Sequence, residues 1–313
     1  MSKKTPFFND VKDNLFKYLV IGCSLLVVVL FSLIFILLVQ RSLPALSENG
    51  INTLIGSVWD VNNLVFGALP AIMGTLVSAL FATAIAVPIS LGIAIFFTEY
   101  APDRARFALS VFIDLLAAIP SVIYGIWGLW IISPLIKNYV QQPIVDYIGF
   151  IPLFAGPAYG LSIFLASIIL TIMVIPIISS ITIELLSSTP SPLKEGMVSL
   201  GATRWETVRN VGIPFAKLGI FSGIILGLGR ALGETMAVTM VIGNSYLWPF
   251  STVSIFAPAT TITSKIAGEL YEASNPVHVG SLIELALILL IITLIVNFAS
   301  RAILRRISRR QFR

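Results

Sequence analysis

Six stretches of this chain are too long and too apolar to form the core of a water-soluble domain. They cover approximately residues 18–39, 69–97, 107–136, 157–183, 218–242 and 281–300. A bilayer core about 30 Å thick takes about 20 helical residues. Backbone polar groups at that depth must bond within their own segment, so each stretch is expected as a helix. Composition agrees: 57% of residues are hydrophobic and 11% charged, where a soluble domain carries about 25% charged. Pro88, Pro120, Pro134 and Pro176 lie inside the stretches and predict tilts and kinks. The first stretch exceeds the roughly 7–15 residues of a signal-peptide core, so it is expected to be a retained span. The expected fold class is an all-α integral membrane protein with six transmembrane helices.

The basic residues orient those helices. Lys3, Lys4, Lys12 and Lys17 precede the first span, and Arg104 and Arg106 separate the second from the third. Lys194, Arg204, Arg209 and Lys217 separate the fourth from the fifth, and Arg301, Arg305, Arg306, Arg309, Arg310 and Arg313 follow the last. Only Arg41, Lys137 and Lys265 fall on the other side. The positive-inside rule therefore predicts both termini in the cytoplasm. The net charge of +5 is read as a topology determinant with membrane lipid as its neighbour, and no nucleic-acid partner is expected.

Several chemistries are excluded early. Cys23 and His278 are the single cysteine and histidine, too few for a disulfide framework, a zinc site or a Cys/His nucleophile. No G-x-x-x-x-G-K-[ST] phosphate loop occurs, so this chain is not expected to bind ATP or to be an enzyme. "GLGRALG" (227–233) is no dinucleotide fingerprint, because its glycines stand at 227, 229 and 233 and no strand precedes it.

The segment between spans four and five, 186–216, is patterned. Ser191-Pro192 reads as a helix start, and Leu193, Met197 and Leu200 share a face. Gly201 stops that helix, and Thr203-x-x-Glu206 forms a capping box for a second. Trp205, Val208 and Val211 share one side of it, and Gly212 and Pro214 are expected to end it. The result is a partly apolar helical hairpin outside the membrane. Its weak net charge and its tether at both ends argue against DNA binding. A structural cap and a docking element for a cytosolic partner remain open.

"KEGMVSLGATRWETVRNVGIP" (194–214) resembles the EAA loop of ABC importer permeases in the placing of Glu195, Gly196, Gly201 and Pro214. Gly196-Met197 replaces that family's double alanine, with the spacing intact. "LLAAIPSVIYGIWGLWIISP" (115–134), "LGLGRALGETMAVTMVIGN" (226–244) and "TTITSKIAGEL" (260–270) resemble phosphate-specific permeases of the PstC type. The resemblance implies a type I importer permease core in 69–300, with 186–216 as its coupling loop. An N-terminal helix with its outer loop (18–68) lies outside that core, and 1–17 and 301–313 are cytoplasmic ends. It also implies the partners: a second, different permease, two copies of a cytosolic ATPase that bind the ATP and Mg, and an extracytoplasmic phosphate-binding protein. The setting would be the bacterial cytoplasmic membrane. Glu195, Gly201 and Pro214 would serve ATPase coupling.

Arg230 and Glu234 are charges inside span five. At 100° per residue they share a sector about 80° wide with Gly219, Gly223, Gly227 and Ala237. Glycines four apart admit a second helix or a substrate close to the backbone. A guanidinium stays charged and matches phosphate oxygens bidentately. An arginine in a span costs a few kcal/mol unless it faces a cavity or partner. The pair is therefore expected to line an anion pathway, where the carboxylate moderates affinity and holds the arginine between substrates. The alternative is a pair that only neutralises itself, in the less favourable order with the cation N-terminal. The resemblance points to the same two residues.

Asp114 is expected to cap or pair within the bundle. Glu284 is expected to be solvated near the outer interface, and His278 to be an exposed loop residue. Outer loops 40–68, 137–156 and 243–280 are long enough for short interfacial helices. Another oxyanion in place of phosphate and a gradient-driven anion transporter are the alternatives, although a secondary transporter would show inverted repeats, which this sequence lacks.

Overall fold

The computed structural model describes the backbone of residues 6–50 and 52–311, and the side chains of 14–48, 50 and 52–305. Lys3, Lys4 and Arg313, and the side chains of Lys12, Arg306, Arg309 and Arg310, lie outside the described residues.

The chain opens with α1 (Pro6–Asn49) and the short α2 (Asn52–Ile55), followed by an antiparallel pair, β1 (Trp59–Asp60) and β2 (Val65–Phe66). Then come α3 (Leu69–Ile95), α4 (Asp103–Ala118), α5 (Ser121–Trp127), α6 (Ser133–Ile136) and α7 (Gln142–Ile148). The remaining helices are α8 (Ile163–Ser187), α9 (Ser191–Ser199), α10 (Arg204–Thr207), α11 (Ile213–Gly233), α12 (Met236–Val241), α13 (Ile262–Glu269) and α14 (Pro276–Gln311).

Five described helices are long and apolar enough to cross a membrane: Asn14–Glu48, Leu69–Tyr100, Ile163–Ser187, Arg204–Gly233 and Pro276–Arg305. The third expected span is no straight rod. Asp103–Ala118 and Ser121–Ile148 meet at 91°, because Pro120 cannot donate a helical hydrogen bond and drives Ile119 into extended backbone. The Tyr124 hydroxyl reaches back over this corner to the Leu116 carbonyl at 2.8 Å. Asp114, expected to cap or pair, does neither. It is exposed on α4 with no hydrogen bond among the described residues.

The core lies between α3, α8, α11 and α12. Ala79, Ala82 and Ala86 on α3 are fully buried. Their small side chains bring α8 close enough for Ser167 and Thr171 to donate to the Ser78 and Ala82 carbonyls. Without a hydrophobic drive between helices in lipid, such close approach and interhelical hydrogen bonds hold a bundle. Helix α1 lies outside, largely exposed, along α14. There the Cα of Gly280 meets the chain of α1 so closely that an added methyl would stand 3.2 Å from the Ala45 nitrogen.

The loops on the side of α13 are more ordered than the sequence suggested. Lys265 Nζ lies 4.9 Å from the Trp59 ring and 4.7 Å from the Tyr246 ring, and pairs with Glu269 at 2.5 Å. Glu269 also accepts from Trp59 Nε1 at 2.9 Å and contacts His278 Nε2 at 3.0 Å. His278 is not an exposed loop residue: it is 5% exposed and stacks on Phe66. Nor is Glu284 solvated. It is 3% exposed, and its Oε2 has no hydrogen-bond partner among the described residues. Both errors share a cause, since the hairpin and α2 cover surface that a bare helix end would leave to water.

Burial works against the Glu269 carboxylate, yet the bonds from Lys265, His278 and Trp59 outweigh it and hold its pKa below the ordinary value. A lowered carboxyl pKa contributes stability above the unfolded-state value, and that contribution is lost as pH falls through the folded-state value. Glu269→Gln should lower stability by about 1–2 kcal/mol at neutral pH. The difference from wild type should begin to shrink as pH falls past the ordinary carboxyl value, about 4.3, and vanish only below the lowered folded-state value. Thermal melts of the purified protein across pH check this, and a pH-independent difference would refute it.

Candidate functional site

The hairpin after α8 is built as expected at its turn and differently at its end. Pro190 precedes α9 as its cap residue, one position before Ser191. Gly201 sits at φ +84°, a left-handed conformation, with open space around it. The Thr203–Glu206 capping box is complete: Glu206 N–H donates to Thr203 Oγ1, and Thr203 N–H donates to Glu206 Oε2 at 2.7 Å.

Gly212 and Pro214 do not end the second helix. One wide turn, Val208–Gly212, carries α10 straight into α11. In it the Ile213 N–H bonds to the Val208 carbonyl, five residues back. Widening the turn accommodates a proline ring that would clash in a regular helix. Helix α10 is thus the first turn of the helix that continues into the fifth span.

Leu193, Val198, Leu200 and Trp205 are all at least half exposed at the tip of this unit. Glu195 is exposed beside them. Behind the tip, Lys194 pairs with Glu99 at 2.5 Å, and Arg204 donates to the Glu99 carbonyl. Arg106 donates to the Phe97 and Thr98 carbonyls. These carbonyls end a helix, where cations are favoured.

At the other end of α11 the expected i, i+4 pair is absent. The helix stops at Gly233, and Glu234 is extended (φ −69°, ψ 127°). Among the described residues the ion pairs are Arg106–Asp103, Lys194–Glu99, Lys265–Glu269 and His278–Glu269, so Arg230 and Glu234 do not neutralise each other. Glu234 Oε1 instead accepts from the Ala237 N–H at 3.4 Å, at the start of α12. Unsatisfied N–H groups there favour a carboxylate. The Glu234 carbonyl accepts from the Thr263 hydroxyl at 2.8 Å, which fixes the break against α13.

The glycine ladder also divides. Methyls at Gly219, Gly223 and Gly227 would meet Leu185, Ile181 and Val174, so these glycines seat α11 on α8 and leave no room for a substrate. Gly229 and Gly233, outside the expected sector, have nothing within 4 Å of such a methyl. They open onto a cleft of about 770 Å³ lined also by Ile177, Ser222, Ile225, Leu226, Arg230, Glu234, Asn297, Arg301 and Leu304. Arg230 stands at the edge between the packed and the open sides of α11. It is exposed to the cleft and has no hydrogen-bond or ion-pair partner among the described residues. The expected helical wheel does not hold, and Arg230 faces the cleft without Glu234 as its ion partner among the described residues. Sequence reasoning missed Asn297 and Arg301, because their helix is far from α11 in the chain.

Comparison with known proteins agrees with this architecture. The profile of the family described as "Binding-protein-dependent transport system inner membrane component" matches residues 86–311. The chain is 42% identical to the phosphate transport system permease protein PstC of Haemophilus influenzae, covering 98% of each chain. It is 43% identical to that of Mesorhizobium japonicum, covering 95% of this chain and 91% of the relative. It is also 39% identical to a protein named as a probable PstC in Methanocaldococcus jannaschii, covering 94% of each. Among solved structures, a bacterial ABC transporter involved in alginate import superposes with a TM-score of 0.58 at 19% identity, over 96% of this chain and 99% of that one. The MetNI methionine ABC transporter gives 0.52 at 19% identity, over 77% and 94%. These two share the fold. With a family profile over most of its length and near-complete relatives at about 40% identity, the chain belongs to the inner-membrane permease components of binding-protein-dependent ABC importers.

Proposed function

We propose that this chain is one permease subunit of an ATP-driven importer of inorganic phosphate, with Arg230 the fixed cation of the translocation path. The observation that carries the reading is an arginine within a membrane helix, free of any ion pair among the described residues, facing an open cleft. An arginine in a span that served only structure would be paired. The near-full-length relatives named as phosphate permeases support phosphate over another oxyanion.

The partners follow from that family role: a second, different permease, two cytosolic ATPase copies that bind ATP and Mg, and an extracytoplasmic phosphate-binding protein. The exposed apolar tip at Leu193, Leu200 and Trp205 is the ATPase docking face, with Glu195 on its rim and Gly201 shaping its turn. Pro214 belongs to the rigid continuation into α11. In proteoliposomes of the assembled complex loaded with ATP, uptake of external phosphate should require that ATP and the phosphate-loaded binding protein, and excess sulfate should not compete. Uptake driven by an ion gradient without ATP would overturn the reading.

The orientation places α9 and the basic tail in the cytoplasm of a bacterial cell. Cysteines introduced at Ser199 and Ser308, with Cys23 replaced by Ser, should react with a membrane-impermeant thiol reagent only in inside-out vesicles. Labelling of either in intact spheroplasts would reverse the topology.

A further inference from the structure

Arg301 counts, by its place in the sequence, as one more basic residue after a span. The fold gives it a second position, as a wall of the Arg230 cleft. We infer that Arg301 is a second anion-binding group of the path, at its cytoplasmic mouth, which receives phosphate released from Arg230. This rests on the pathway reading of Arg230 given above.

Helices α11 and α14 cross the membrane in opposite senses. Arg230 lies 13 residues beyond Lys217, about 20 Å into the layer at 1.5 Å per residue. Arg301 lies 25 residues beyond Pro276, about 37 Å along α14, where a core about 30 Å thick has ended. One cleft joins the two, so it runs from a deep arginine to a superficial one.

Of the other walls, Glu234 is a carboxylate that accepts from the Ala237 N–H, and the rest offer an anion little. Ile177, Ile225, Leu226 and Leu304 are apolar. The Ser222 hydroxyl donates to its own helix at Leu218, and the Asn297 amide donates to Thr293. The two guanidiniums are the cationic groups of the cleft, and neither has a hydrogen-bond or ion-pair partner among the described residues.

A single deep cation both attracts an anion and traps it. A second cation nearer water lowers the barrier to leaving, as adjacent weak sites do in conducting pores. Guanidinium at both sites matches phosphate oxygens. Arg305, one turn further along, does not line the cleft, so it shares the topological role of Arg301 without this one.

The test is phosphate uptake by the assembled complex in proteoliposomes. Arg301→Gln should lower maximal uptake on the order of tenfold at unchanged complex level, with the half-saturating concentration of loaded binding protein little altered. Arg305→Gln should stay within about twofold of wild type. Arg301→Cys, in a Cys23→Ser background, should recover uptake on modification with a cationic aminoethyl thiosulfonate and not with a neutral one of similar size. Uptake by Arg301→Gln within twofold of wild type, an equal fall in Arg305→Gln, a fall explained by lost complex, or recovery with the neutral reagent would each overturn the inference. Arg230→Gln measured in parallel separates the two claims: if it also transports normally, the pathway reading itself has failed.

Discussion

Replacing Arg230 by Gln is expected to abolish phosphate uptake, and replacing Glu234 by Gln in the same chain is expected not to restore it. Had the two residues been a self-neutralising pair, removing both charges would relieve the buried carboxylate left by the first change. The structure weakens that premise, because the Glu234 carboxylate accepts from the Ala237 N–H at the start of α12 and not from Arg230. Glutamine at 234 can still accept from Ala237, so the single Glu234→Gln change should cost less than Arg230→Gln. Loss of a fixed cation at an anion site costs about 3 kcal/mol, roughly a hundredfold. Arg230→Lys should keep partial activity at best, since an ammonium lacks the planar fork. Uptake, protein level and complex assembly measured together decide it. Near-normal uptake in the double glutamine variant would remove Arg230 from the pathway.

Gly201→Val is the second large effect expected, and it acts through the backbone alone. No atom would obstruct a methyl at that position, so sterics with neighbours are not the cause. The cause is the φ of +84°: a side chain there costs about 1–2 kcal/mol, and more for a β-branched residue. The turn should open, and Leu200 and Trp205 would no longer be presented together to the ATPase. Uptake should fall by about tenfold or more while the spans insert normally. Gly201→Asn, which tolerates the left-handed region, should retain most of the activity lost in Gly201→Val. Co-purification of the ATPase with each variant supplies the check, and normal association and uptake in Gly201→Val would return the hairpin to a merely structural cap.

How far the sequence revealed this molecule can be traced to particular residues. Spans and the second short helix's cap were legible because their causes are local. The apolar runs, the Thr203-x-x-Glu206 box and the corner at Pro120 depend on neighbours within a turn or two. Errors arose where a distant segment supplies the partner. His278 and Glu284 looked wet until the hairpin at Trp59 and helix α2 covered them. The helical wheel placed Glu234 beside Arg230, but the tie from Thr263 helps hold the chain extended there. Gly212 and Pro214 read as a stop because a proline after a glycine normally is one, and the five-residue turn that rescues the helix has no clear pattern. In the candidate site Arg230 was visible as a charge out of place. Arg301 was hidden by company, standing first in a run of arginines that topology already explained.

The widened turn at Val208–Gly212 makes one unbroken shaft of Arg204–Gly233, about 45 Å long. A stroke delivered at Trp205 has no joint in which to dissipate before the shaft ends at Gly233. Arg230 lies one turn short of that end, so Trp205 and Arg230 stand on the same rigid element. A tilt of one end would therefore move the other, and the helix itself ends where Glu234 turns extended.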